Sequence, residues 1–529
     1  MKQKRVLYCA TFFFMVFFFL HPALCPGSMM GDYTVDVAIS TTYLQDSIPS
    51  VEYNPIDKEF VVLWHTDGIM EVGGDDLNFL SGQRISPDGE LIGPLFFPLL
   101  SIGLQIVAWP RAAHNIFTNE YMMSFSMGRT EGGWGLFVTK LSNDGTILID
   151  PICLSCTTTS VQHGFIVFNS VRRNYLIVWN EKRYGNVDIF GIIVDENANI
   201  LKDVFAVCAE VGDQYNPFVG YNSTDDTYLI NWEDFRHVSE WHEAGDIYGV
   251  LLDGEGKVIV DNIAMCDDYG TPDASDQRHN NIAYNPDRNE FFVNWTDSRT
   301  SLDNTGTVGR IIKSDGTPKG PDFISVDALG AQIFPCVIYL PNKRMYFAVW
   351  EDNRSEPDTY WRDATTLDIY ATLLNSDGEP IGSDFPLCIE ENNQTAPKAA
   401  YCPVDDMVLI AWRDELEEDV PSGTGEGHIK QSGGNIMGKV YGTPSFLSGR
   451  VVEQGSGEPV EGASVTVVGP GYERTVMSNI GGWFNLPERF QSNGNYVAVI
   501  RKKGYLKAIE TSIYKGEPLK ITVELNKKE

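Results

Sequence analysis

Apolar and polar residues alternate in short runs along most of the chain, and Gly, Pro, Asn or Asp breaks the runs at close intervals. That is the period-two pattern of half-buried strands separated by turns. One stretch shows the unit. Pro217–Asp226 runs into a turn, Tyr228–Trp232 forms a strand, and the charged cluster Glu233–Arg236 follows; Asp246–Leu252 is a further strand, closed by Asp253-Gly254. Near-copies recur, with equivalent strands ending at Trp64, Phe125, Trp179, Trp232, Trp295, Trp350 and Trp412, at spacings of 61, 54, 53, 63, 55 and 62 residues. A repeat of this length with about four strands predicts a β-propeller blade.

The four strands can be placed from their flanking turns. Strand A is the run before a Tyr-Asn-Pro type turn, as at Ile48–Tyr53, Pro217–Tyr221, Ile282–Tyr284 and Pro397–Tyr401. Strand B carries the tryptophan. Strand C begins at Asp188, Asp246 and Asp368, with looser versions at Thr307 and Asn435, and strand D follows turns such as Asp88-Gly89 and Asp377-Gly378. Glycine suits these tight hairpins because it accepts positive φ without strain. The seventh unit stops at Tyr441-Gly442 without a strand D, while Tyr33–Ser40 reads as a strand D with nothing before it. The expected fold is therefore all-β: a seven-bladed β-propeller over residues 33–442, closed by an N-terminal strand that pairs into the last blade. Closure removes the open edges of the array.

After a linker at 443–447, residues 448–529 are a different object. Gly449-x-Val451, Pro459-Val-x-Gly-Ala-x-Val465, Gly482-x-Phe484, Tyr496 and Gly504-Tyr505 punctuate short alternating strands. This tail resembles the carboxypeptidase regulatory-like (prealbumin-like) domain family. The resemblance implies a small β-sandwich, usually an accessory module on secreted proteins. The propeller repeats match no family whose activity can be carried over.

Charge and the N-terminus change the functional picture. Lys2, Lys4 and Arg5 precede an apolar run from Val6 to Leu20, the pattern of an export signal over residues 1–28. The run is short for a membrane span, so no span is expected after cleavage. Leu24-Cys25 leaves a lipid anchor as the alternative. The formal net charge is −32 and becomes −35 without the signal, whose three charges are all positive. Such an acidic surface excludes nucleic acid as a partner. The expected location is secreted or at the cell surface.

Candidate chemistry falls in two groups. Trp232, Asp234 and Arg236 recur as Trp295, Asp297 and Arg299 and as Trp350, Asp352 and Arg354. Repetition in blade after blade favours a structural role, an Asp–Arg pair fastening the B–C loop over a buried tryptophan. The long B–C insertions of blades four to seven, at 235–245, 299–306, 354–367 and 413–434, hold Trp241, His242, Tyr360, Trp361, Asp363 and His428. Aromatic faces beside carboxylates suit sugar rings or cationic groups, so these six are the candidate ligand-binding residues. No catalytic set stands out, and no Ser-x-Asp-x-Gly-x-Thr-Trp box occurs. The leading expectation is a non-catalytic binding or adhesion protein for a glycan or protein ligand. The alternatives are a glycan-directed hydrolase using loop carboxylates and a purely structural surface component. No cofactor is expected. Calcium is the one candidate metal, given abundant oxygen ligands, although no EF-hand loop is present. Cys153, Cys208, Cys266 and Cys388 read as one recurring strand-D position, and Cys153-x-x-Cys156 could form a local disulfide.

Overall fold

The structure, a computed structural model, describes residues 33–40, 45–72, 75–102, 107–128, 132–156, 161–183, 185–238, 244–266, 275–299, 305–421, 428–442, 447–470, 472–486, 494–514 and 519–528. Every regular element among them is a strand. Five four-stranded antiparallel blades stand as separate sheets, with A strands starting at Val107, Val161, Gln214, Gln277 and Gln332. The first and seventh blades are joined into one sheet by a single parallel bridge between Gln45 and Gly434. In the seventh, Gln394–Cys402, Met407–Pro421 and His428–Gly442 are strands A, B and C. The N-terminal strand Tyr33–Ala38 lies antiparallel to that strand C, from Tyr33 opposite Gly442 to Ala38 opposite Met437. It is the missing strand D. The A strands pack side by side in a full cycle, the first against both the second and the seventh.

The core lies between blades rather than within them. Leu176, Val178 and Ile193 of the third blade share one cluster with Trp232, Val250 and Leu252 of the fourth. Trp179, Trp232, Trp295 and Trp350 have no exposed surface. Burying such rings stabilises by several kcal/mol, so each blade depends on its neighbour.

Three features depart from the sequence reading. Strand A begins earlier than the turn signals implied, at Gln214 rather than Pro217 and at Gln394 rather than Pro397. The insertion at 413–434 is not a loop, because strands B and C of the seventh blade run on as one hairpin to Pro421 opposite His428. The first blade does the same, with strands Glu59–Val72 and Asp75–Ile85. Finally, Cys153 is not equivalent to Cys208, Cys266 and Cys388. Those three face Ile189, Ile247 and Ile369, whereas in the second blade Ser155 faces the corresponding Leu136. Cys153 is bridged to Cys156, with Cα atoms 6.0 Å apart.

The tail forms two small sheets around a core that includes Val451, Val465, Phe484 and Tyr496. Gly449 is required there, since a Cβ would lie 2.3 Å from the Ile521 carbonyl oxygen. The sandwich rests on the A–B turn face of the propeller. Trp483 Nε1 donates to the Ile56 carbonyl at 2.8 Å, and Lys58 Nζ sits 4.6 Å from the Trp483 ring centre while pairing with Asp405 at 2.8 Å. This leaves the opposite face, with the B–C loops, uncovered by the tail.

Candidate functional site at the axial channel mouth

Every A strand carries a β-bulge near its start. At each bulge a non-glycine residue takes positive φ: Ile48 (47°), Trp109 (54°), His163 (55°), Asn216 (52°), His279 (54°), Phe334 (51°) and Ala396 (54°). Each stands sixteen residues before the strand-B landmark, and five of the seven are followed by proline. Proline is tolerated because strand A is the inner edge of its sheet and the bulge needs no ladder N–H at that point. The left-handed conformation costs an L-residue about 1–2 kcal/mol. Strain of this kind persists where the surroundings over-determine it and gathers at functional sites.

The fastening is visible. The residue after a blade's tryptophan accepts the amide of the bulge residue in the next blade. Glu233 takes the His279 N–H at 2.8 Å, Thr296 Oγ1 takes the Phe334 N–H at 3.2 Å, and Glu351 takes the Ala396 N–H at 2.6 Å. Ala396→Gly is expected to raise stability by a few tenths to about 1 kcal/mol, the relieved strain outweighing the added chain entropy. Ala399→Gly, in regular strand, should lower it. Urea midpoints of the two variants check the opposite signs, and a loss at both positions would refute the strain.

The bulges turn all seven side chains toward the axis. There they line a cavity of about 150 Å³, and Arg111, Phe165, Phe218 and Lys398 form a wall common to it and a lower one of about 260 Å³. His163 stacks on Trp109 at 4.6 Å, and His279 stacks on Phe334 at 3.6 Å. Burial, helped by Arg111, lowers His163 to about 4; burial, helped by Arg278, Arg362 and Lys398, lowers His279 to about 3. Both imidazoles are thus neutral near pH 7, and both can donate and accept hydrogen bonds. One layer down, Phe165 and Phe218 lie 4.0 Å apart, with the Arg111 guanidinium 5.0 Å from the Phe165 ring.

Of the loop residues expected to bind ligand, Trp361 reaches this mouth. Its ring meets His279 and Phe334 edge-on, each at 6.1 Å, and Tyr360 is 5.8 Å from it on the same loop. Asp363 is exposed and donates its backbone N–H to the Tyr360 carbonyl in a turn. Trp241 and His242 lie outside the described residues. His428 is placed by its backbone at the tip of the seventh-blade hairpin, opposite Pro421. The ring of bulge residues does not stand out in the sequence. Its signal is the constant sixteen-residue offset and the recurrent proline.

The Trp-x-Asp-x-Arg clusters are clamps around the rim. Trp232 Nε1 donates to Asp234 Oδ2 at 2.8 Å, and Arg236 grips both carboxylate oxygens at 2.8 and 2.6 Å. Arg236 also stacks 4.1 Å over Tyr248. Trp295, Asp297 and Arg299 repeat this at 3.1, 2.9 and 2.7 Å, and Trp350, Asp352 and Arg354 at 2.8, 2.8 and 2.6 Å. Blades one, two and seven lack the full clamp, since Thr66 and Met127 replace the aspartate in the first two and no arginine follows Asp414 in the seventh. The B–C hairpins of blades one and seven run on, whereas that of blade two ends at Gly128 opposite Trp134. Among the described residues, no group of three or more His, Cys, Asp or Glu could hold a metal ion.

Residues 447–526 match the carboxypeptidase regulatory-like domain family. The match covers the tail sandwich and says nothing of the propeller. No curated protein matches the sequence. Among solved structures, a Dyadobacter fermentans protein of unknown function is similar over 77% of this chain and 97% of its own, at 10% identity and TM-score 0.42. The NanB sialidase of Streptococcus pneumoniae is similar over 76% and 70%, at 6% identity and TM-score 0.40. An α-L-arabinofuranosidase from Fusarium graminearum is similar over 77% and 96%, at 9% identity and TM-score 0.40.

Proposed function

We propose that this protein is an exported, non-catalytic binding protein that takes a glycan ligand at the axial mouth, on the face that the tail leaves free. The observation that carries the reading is the ring of seven strained inner-strand residues, which converge on one cavity and present stacked His–aromatic pairs beneath Trp361. Aromatic faces with neutral imidazoles suit sugar rings, whose C–H faces stack while their hydroxyls hydrogen-bond. The tail would act as a spacer or second contact.

Hydrolysis is the second reading. It is favoured by Glu52, which lines the lower cavity and is pushed by burial up to about 7, in the range of a proton donor. Glycoside hydrolysis calls for two carboxyl groups at the bond. Among the described residues lining the two cavities, Glu52 is the one carboxylic acid, which favours binding.

The test is a glycan array on the full chain, with and without calcium, beside Trp361→Ala and the triple variant Trp241→Ala, Tyr360→Ala, Trp361→Ala. A tenfold or greater loss in Trp361→Ala is the expected result. Undiminished binding in the triple variant would move the site away from the mouth. Release of reducing ends, abolished by Glu52→Gln, would establish the second reading instead.

A further inference from the structure

Arg111 and Lys398 stand in the wall shared by both parts of the channel. They come from the second and seventh blades, at the same bulge-plus-two position in strand A. Among the described residues neither forms an ion pair. Arg111 Nη1 donates to the Pro110 carbonyl at 3.1 Å, and Lys398 Nζ donates to the Pro397 carbonyl at 3.2 Å. The two cations are near enough to repel. Burial, then the charge of Arg111, holds Lys398 below its ordinary value even though the Glu351 carboxyl attracts it. Glu52, the carboxyl of the same lining, instead accepts the His114 N–H at 3.3 Å.

Acidic residues outnumber basic ones by 72 to 40 in this chain, so a cation without a carboxylate partner is the less expected outcome. Two buried in the wall of one aromatic channel are costly to the fold, because a buried charge needs a counter-charge. Such a cost is retained where a ligand supplies what is missing.

We infer that the ligand carries an oxyanion on a sugar ring, and that Arg111 and Lys398 receive this group in the channel while the ring stacks at the mouth. The inference rests on the mouth being the ligand site. The shared chemistry is a singly charged planar or tetrahedral oxyanion, which a uronate carboxylate and a sulfate ester both provide. Arginine meets either through a two-pronged hydrogen bond, and lysine as a point charge.

The experiment measures binding by calorimetry to three matched oligosaccharide sets: galactose, galacturonate and sulfated galactose. The full chain is compared with Arg111→Met, Lys398→Met and the double variant. The expected result is at least tenfold tighter binding of a charged set than of the neutral one. Each single variant should lose about tenfold on the charged set only, and the double variant should treat charged and neutral sugars alike. Tighter binding of galacturonate assigns a carboxylate, and of sulfated galactose a sulfate ester. Equal affinity for neutral and charged sugars, or a preference that survives in the double variant, overturns the inference while leaving the mouth as a glycan site. No binding of any set, together with a blank array, overturns both.

A second measurement needs no oligosaccharide. Glucuronate should raise the melting temperature of the full chain above the effect of glucose at matched ionic strength, because it binds the folded state only. The double variant should show no such difference. It should also melt higher than the parent without ligand, which separates loss of binding from misfolding. An equal glucuronate effect in both proteins would likewise overturn the inference.

Discussion

Asp234→Ala is expected to destabilise the propeller by about 3–5 kcal/mol, the cost of breaking a buried ion pair from one side. Asp234 has no exposed surface and satisfies both the Trp232 indole N–H and the Arg236 guanidinium. Without it, a fully buried N–H loses its acceptor and a largely buried cation loses its carboxylate, keeping the Asn262 side-chain oxygen, which accepts from Nη1 at 2.6 Å. The nearby Cys208 sulfur, 3.8 Å from Arg236 Nη2, offers no substitute charge, since burial pushes its thiol up to about 12. Guanidinium unfolding followed by tryptophan fluorescence measures the change. A loss below about 1 kcal/mol would place the clamp among ordinary surface ion pairs. Because each buried cluster of the propeller spans two blades, the loss should appear as a shift of the main transition rather than as local fraying.

Glu351→Gln should do the opposite, and most fully at alkaline pH. Burial raises the Glu351 carboxyl to about 8 from a starting value of 4.5. Between those values the folded chain holds a proton that the unfolded chain has released. The stability this carboxyl contributes is therefore full below about pH 4.5 and is lost as the pH rises toward 8. Glutamine keeps an acceptor for the Ala396 N–H and never ionises. The variant should match the parent near pH 4 and exceed it by roughly 4–5 kcal/mol above pH 8, since a proton held across each pH unit between the two values is worth about 1.36 kcal/mol. Unfolding curves at pH 4, 6, 8 and 9 give the difference directly. A constant difference across that range would mean that Glu351 is already ionised in the folded protein.

The two residues serve different parts of one design. Asp234 locks the loop outside the barrel of A strands, whereas Glu351 holds the bulge that aims Ala396 at the axis. The site is thus mounted on inner strands held by their neighbours, and Trp361 is the element it takes from a loop. A channel wall of this kind is set in advance of the ligand, which lowers the ordering cost of binding.

Much of this is legible in the sequence because it is local. Tryptophan spacing, Asp-Gly turns and the orphan strand at Tyr33–Ser40 mark blades and closure, since strand alternation and turn chemistry act over a few residues. Gly449, Gly482 and Phe484 mark the tail sandwich in the same way, and Trp361 is identifiable as an aromatic on a long insertion. The clamp is readable too, its three members lying within five residues. The axial site is not. Ile48 and Ala396 are nearly 350 residues apart in the chain and meet because the array returns on itself, so no local pattern says which strand is innermost. Positive φ falls there on Ile, Trp, His, Asn, Phe and Ala; of these, Asn and His are enriched at positive φ, and none marks it as glycine does. That Arg111 and Lys398, from the second and seventh blades, share one channel wall is likewise a property of the closed ring. Sequence determined the strands and their order; the ring decided which side chains share an axis, because only closure brings seven inner edges within contact distance.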